Sequence, residues 1–168
     1  MGTYEFQLYF SLPDANEDPA AYVDALYEAG CDDALVGAGQ HGSVGLDFAR
    51  EAESAEDAIT SAIGDVDRAI PGARLIEAAP DLVGIAEVAE VLECTRQNAT
   101  KLVRQPRFPA PVHIGKHTSL WHLADVLEWA ELDRREVSEA LHEVARTACL
   151  TNINVQRARY GSGREGAA

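Results

Sequence analysis

Residues 85–105 read IAEVAEVLECTRQNATKLVRQ, and the reading of the chain turns on this stretch. Ile85, Val88, Ala89 and Leu92 recur at helical spacing and form the apolar stripe of a short first helix. A tight break follows at Glu93-Cys94. Thr95 then provides an N-cap for a second helix whose stripe is Ala99, Leu102 and Val103. Two short helices joined by a three- or four-residue turn, with small Ala89 and Ala99 at their crossing, make a helix-turn-helix. In that motif the first residues of the second helix project into the major groove; here they are Arg96, Gln97, Asn98, Thr100 and Lys101. Arginine makes a bidentate bond to guanine, and Asn or Gln does so to adenine.

The charge pattern isolates the same stretch. The chain has 168 residues and a formal net charge of −14, which by itself argues against a polyanionic partner. The charge is unevenly spread: residues 1–80 carry 16 acids and 3 bases, a net of −13. From Arg96 to Lys116 there are five bases, Arg96, Lys101, Arg104, Arg107 and Lys116, and no acid. An ordinary solvated helix of so acidic a protein would carry Glu and Asp, and this one carries neither between Arg96 and Gln105. The alternative for the stretch is a solvated helix-turn-helix used only for protein contact. For the single side chains the alternative is that Asn98 and Thr100 are plain exposed polar residues and that Arg104 and Arg107 touch phosphate or nothing.

Upstream the periodicity changes. Tyr4, Phe6, Leu8, Phe10 and Leu12 alternate with polar neighbours, which predicts a strand. Asp18-Pro19 opens a helix that Gly30 stops. Ala34–Ala38 and Ser43–Ala49 read as a hairpin about Gly39–Gly42. Ser54 caps a helix with the stripe Ile59, Ala62, Ile63, Val66 and Ile70, ended by Pro71-Gly72. Arg74–Ala79 is a last short strand. The order βαββαβ predicts a ferredoxin-like domain over residues 1–80, with both helices on one face of a four-stranded antiparallel sheet. Pro80-Asp81 marks the joint to a second domain, 81–130. Residues 131–168 form a C-terminal helix, read from Leu132 to about Leu150, and a flexible tail from Gly161 to Gly166. The fold class expected is α+β.

Residues 82–130 resemble the excisionase/AlpA-like winged helix-turn-helix of the MerR superfamily. The matching pieces are Ala86 to Leu92, Thr95-Arg96-Gln97 with Ala99, Leu102 and Val103, then Phe108-Pro109-Ala110-Pro111, Gly115, Trp121, and Asp125-Val126 followed by Trp129. The resemblance implies that Thr95–Arg104 is the recognition helix. It also implies that Val112–Ile114 and Ser119–His122 form a two-stranded wing, with Trp121 and Trp129 packed beneath. One position departs: the family usually has glycine in the helix-helix turn, and this chain has Glu93. If that residue takes a positive φ, the strain is on the order of 1 kcal/mol.

A wing also follows from the residues themselves. With Lys116-His117 as its tip, Ile114 pairs with Ser119 and Val112 with Trp121, whose ring stacks on that neighbour, and Lys116 stands where a wing meets phosphate. His117 beside it is within reach of backbone or groove. The expected DNA-binding residues are therefore Thr95, Arg96, Gln97, Asn98, Thr100, Lys101, Arg104, Lys116 and His117.

Other chemistry finds little support. His113, His117 and His122 are close in sequence, but the hairpin register faces His113 to Leu120, and no acid or cysteine lies at ligand spacing. No metal site and no cofactor are expected. Gly37 to Gly42 resembles a phosphate loop but leads into an extended run, with no helix N-terminus to hold an anion. Cys31 sits beside Asp32-Asp33, which disfavours a thiolate. No catalytic constellation emerges. The three cysteines are dispersed and form no CxxC pair, as in a reduced cytoplasmic protein. No apolar run approaches the roughly 18 residues of a membrane span, and the N-terminus lacks the pattern of a secretory signal.

The function expected is sequence-specific binding of double-stranded DNA by a small prokaryotic transcriptional regulator, with no enzymatic activity. The rivals are a protein-interaction module, such as an antitoxin or phage-defence component whose acidic N-terminal domain binds a partner, and an enzyme or ligand sensor built on that domain. The stripe Val137, Ala140, Leu141, Val144, Ala145 and Ala148 either packs back on its own chain or pairs with a second subunit. The two-fold symmetry common in sites read by helix-turn-helix proteins favours a homodimer.

Overall fold

The computed structural model describes residues 1–37 and 39–161. It has the elements β1 (Gly2–Ser11), α1 (Val23–Ala29), β2 (Ala34–Gly37), β3 (Ser43–Ala52), α2 (Ala55–Ala69), β4 (Arg74–Ala79), β5 (Leu82–Val83), α3 (Ile85–Val91), α4 (Arg96–Leu102), β6 (His113–Ile114), β7 (Ser119–His122), α5 (Leu123–Leu132) and α6 (Glu139–Gly161). A 3₁₀ turn, Pro19–Tyr22, leads into α1. The architecture is α+β. Ala38 and the tail beyond Gly161 lie outside the described residues.

The first sheet has the order β2-β3-β1-β4, antiparallel throughout. The alternation of β1 buries Tyr4, Phe6, Leu8 and Phe10. Phe6 faces Phe48 across the β1–β3 ladder, and their rings stack at 5.0 Å. These side chains meet Leu26 of α1 and Ile59, Ala62 and Val66 of α2 in one apolar cluster, so both helices cover the same sheet face. Local signals set the helix ends. The Asp18 side chain accepts from the Ala20 amide at 2.9 Å, and Ser54 Oγ accepts from the Asp57 amide at 3.1 Å. Gly30 takes φ 113, a conformation open to glycine at little cost, and the Cys31 amide closes on the Leu26 carbonyl at 3.0 Å. Beneath this turn the guanidinium of Arg50 bonds Asp33, Asp65, Ser61 and the Gly30 carbonyl. That buried cation ties α1, β3 and α2 together.

A second apolar cluster gathers Val88, Ala99, Leu102, Phe108, Trp121, Leu123, Val126, Leu127 and Trp129. Phe108 packs edge-on to Trp121 at 6.1 Å and tilted against Trp129 at 4.8 Å. The hairpin differs from the expected two-stranded one. Its sheet has three strands in the order β5-β7-β6, because Leu82 pairs with His122 and Val83 with Trp121. The residues after Pro80 are thus a sheet edge rather than a free connector. Asp81 is only 3% exposed there, and its carbonyl accepts from the Leu123 amide at 2.7 Å.

The C-terminal region also departs from expectation. The helix beginning at Leu123 runs on to Leu132 and ends where Arg134 takes φ 58 and the Arg135 amide bonds the Ala130 carbonyl. A new start follows at Ser138, whose Oγ accepts from the Leu141 amide at 3.2 Å, and α6 then continues well past Leu150 to Gly161. The α6 stripe packs back on its own chain. Val144 and Ala148 belong to the first cluster and Ala145 to the second, with Ala140 and Leu141 packed against one each. One helix therefore holds both cores, and apolar burial at about 25 cal/mol per Å² makes that a cohesive tie.

Candidate nucleic-acid interface

The α3–α4 pair is built by capping. Glu87 Oε2 accepts from the Gly84 amide at 3.0 Å at the start of α3. At its end the Cys94 amide reaches back to the Ala89 carbonyl at 2.9 Å and the Glu93 amide to Glu90 at 3.1 Å, a closure that needs a left-handed residue. Glu93 is that residue, with φ 50. Thr95 Oγ1 accepts from the Asn98 amide at 3.1 Å, so Thr95 is the N-cap of α4. Buried Ala99 and Leu102 anchor the helix.

With 100° per residue, that anchoring assigns the remaining positions. Gln97 and Lys101 stand on the outer crest of α4, opposite the buried side, and both are exposed, as is Arg104 in the turn that follows the helix. Arg96, Thr100 and Arg104 line a groove of about 530 Å³ whose opposite wall carries His117 and Ser119. Thr100 is half-buried and its hydroxyl donates to the Arg96 carbonyl at 2.8 Å, so its polar atom already has a partner. Asn98 turns the other way, into a shallow concavity with Glu90 and Glu93. The structure thus joins Arg96, Arg104 and His117 around one groove, sets Gln97 and Lys101 on the crest, and separates Asn98 from them. Glu87, the acid in the groove, is engaged by the Gly84 amide.

The hairpin keeps the expected pairs Ile114–Ser119 and His113–Leu120. Its tip is closed by the Gly115 amide on the Thr118 carbonyl at 2.8 Å, and Lys116 and His117 are exposed on it. The Val112–Trp121 stacking does not occur. The Val112 amide bonds the Leu120 carbonyl and its side chain is half-exposed, while Trp121 is drawn beneath the hairpin by Phe108. Trp121 Nε1 donates to the Pro109 carbonyl at 3.1 Å, which pins the proline-rich segment under the sheet. Arg96, Lys101, Arg104, Arg107 and Lys116 are all exposed, and none forms an ion pair among the described residues.

A second constellation escaped the sequence because its members are dispersed. His122 Nδ1 lies 2.6 Å from Asp81 Oδ1 and 3.5 Å from Cys149 Sγ. Asn152 Nδ2 donates to Asp81 Oδ2 and to the Ala78 carbonyl, both at 2.8 Å, and its Oδ1 accepts from the Ala78 amide at 2.7 Å. The amide of Asn152 thereby completes the outer edge of β4. Cys149 and Asp81 share one ring nitrogen of His122, whereas a nucleophile relay places base and orienting acid on opposite nitrogens. Burial, with Asp81 and Asp125 nearby, pushes the Cys149 thiol up to about 11, and burial with Asp65 does the same to Cys31. Neither is a thiolate at neutral pH.

No protein-family model, curated protein or solved structure matches this chain. Among the described residues no helix is long and apolar enough to cross a membrane.

Proposed function

We propose that the chain is a sequence-specific double-stranded DNA-binding protein, a small prokaryotic transcriptional regulator without enzymatic activity. In this reading residues 1–80 are a ferredoxin-like domain and residues 81–130 a winged helix-turn-helix. The strand order β2-β3-β1-β4, with α1 and α2 on one face, supports the first assignment. The closed α3–α4 turn beside the β6–β7 hairpin supports the second.

The observation that carries the function is the set of five exposed cations on α4, the segment after it and the hairpin tip, without ion-pair partners among the described residues, in a protein of net charge −14. A cluster of unpaired cations makes a local positive potential that attracts a polyanion even where the net charge of the protein is negative. Lys101, Arg104, Arg107 and Lys116 take phosphate and set register, while Arg96 and Gln97 read base edges. Thr95 and Thr100 support α4 through their bonded hydroxyls, and Asn98 and His117 flank the crest and groove. A homodimer places two such surfaces on a two-fold site. Its contact uses another surface than the α6 stripe, which is already buried.

Selection from a pool of random duplexes with the full chain tests the reading. Enrichment of one motif is expected, and folded protein that enriches none refutes it. A second reading, a protein partner for the acidic domain as in an antitoxin or phage-defence component, is favoured by exposed Tyr9, Leu35 and Ile76 on the first sheet. The two roles are compatible.

A further inference from the structure

We propose that Asp81, His122 and Cys149 form a three-ligand binding site for a divalent metal ion of the zinc class. The three donor atoms all lie within 4.8 Å of one another. Around a tetrahedral zinc ion a thiolate sulfur and an imidazole nitrogen are about 3.5 Å apart, and two first-row donors about 3.3 Å. The Cys149–His122 separation is already 3.5 Å, and the Asp81–His122 contact of 2.6 Å has to open by about 0.7 Å, a small turn of the imidazole. One thiolate, one imidazole and one carboxylate select zinc-class ions over magnesium or calcium, which prefer all-oxygen sites.

Charge is the independent argument. Asp81 is a carboxylate 3% exposed with no Lys or Arg in ion-pair range among the described residues; its basic neighbour is His122. A buried anion without a permanent counter-ion is costly. A divalent ion neutralises it: on binding, Cys149 loses its thiol proton to solvent, His122 keeps its proton on Nε2, and the ion with thiolate and carboxylate sums to zero charge. Asn152 fixes the carboxylate from behind through Oδ2, the orienting role that outer-shell partners play in metal sites. Cys149 also lines a cleft of about 240 Å³ with Asp125, Glu128, His142 and Arg146. The ion would join three segments distant in sequence: the residue before β5, the end of β7 and the middle of α6. It is therefore a clamp between the hairpin and the helix that holds both cores.

Cobalt(II) is the probe, added to full-length, reduced, chelator-treated protein. One equivalent should produce thiolate-to-metal charge-transfer absorption that zinc(II) abolishes. Cys149→Ser should remove the band and His122→Gln should weaken binding at least about tenfold, whereas Cys94→Ser and His41→Ala, at an exposed turn of the first sheet, leave both unchanged. Absence of the band, its survival in Cys149→Ser, or full affinity in His122→Gln overturns the assignment. A measurement that needs no variant accompanies these: zinc should slow alkylation of Cys149, mapped by mass spectrometry, and leave the Cys94 rate unchanged. Equal Cys149 rates with and without zinc refute the site. The inference does not depend on DNA binding, and neither readout involves DNA.

Discussion

Replacing Lys116 by alanine removes one positive charge from the hairpin tip and nothing else that the fold uses. The tip is closed by the backbone bond from Gly115 to Thr118, and the Lys116 side chain is exposed and makes no ion pair among the described residues. Five such cations stand on this surface. With Arg96 assigned to a base edge, four face phosphate, so log K should fall with log salt at a slope of about −3.6 for one protomer and about −7 for a dimer. Losing Lys116 should flatten that slope by about 0.9 per bound protomer, or about 1.8 for two copies. At fixed salt the loss should be alike on the selected and a scrambled duplex, since phosphate carries no sequence. The net −13 of residues 1–80 acts in the opposite sense on non-specific complexes, within a Debye length of roughly 8–10 Å. That repulsion is best probed in the full chain, because cutting at residue 81 would strip Val144 and Ala148 of their core partners. Fluorescence anisotropy of labelled duplexes over a salt series reads all of this. An unchanged slope, or a loss confined to one sequence, refutes the phosphate role.

Three further outcomes are expected. Arg96→Ala should weaken specific binding by about 1–3 kcal/mol and relax one base position in the selected motif; an unaltered motif removes Arg96 from the reading set. Asn152→Leu should destabilise the fold by roughly 3–6 kcal/mol, because it leaves the Ala78 amide, the Ala78 carbonyl and Asp81 Oδ2 without their partner. Urea unfolding followed by Trp121 and Trp129 fluorescence measures it, and a loss below about 1 kcal/mol contradicts the account. Glu93→Gly should stabilise by about 0.5–1 kcal/mol, since relief of left-handed strain exceeds the added entropy of the unfolded chain; a lower denaturation midpoint opposes it.

The secondary structure was legible because its determinants are local. Alternation in β1, the caps Asp18, Ser54 and Thr95, and the stops at Gly30 and Pro71-Gly72 act within a few residues of where they stand, and so did the isolation of the basic stretch from Arg96 to Lys116. The errors came where distant segments compete. Helical spacing without proline predicts one helix over Leu132–Leu150; the break at Arg134 lets α6 fold back against α5 and reach the first core as well as the second. Trp121 was paired with Val112 by hairpin register alone, but Phe108 offers the ring a buried contact that the half-exposed valine does not. Helix geometry alone sets Arg96 and Asn98 about 200° apart on α4; packing decided that one side meets the hairpin groove and the other meets Glu90 and Glu93. Likewise nothing in their spacing relates Asp81, His122 and Cys149. Their meeting required β5 to pair with β7 and α6 to return across both cores, and burial energy is a property of the whole packed chain. The sequence alone determined the elements whose signals are local, and the charge that marks α4; tertiary packing decided the β5 edge, the extent of α6 and which side chains share a groove, because neighbours in space are chosen by the burial of residues far apart along the chain.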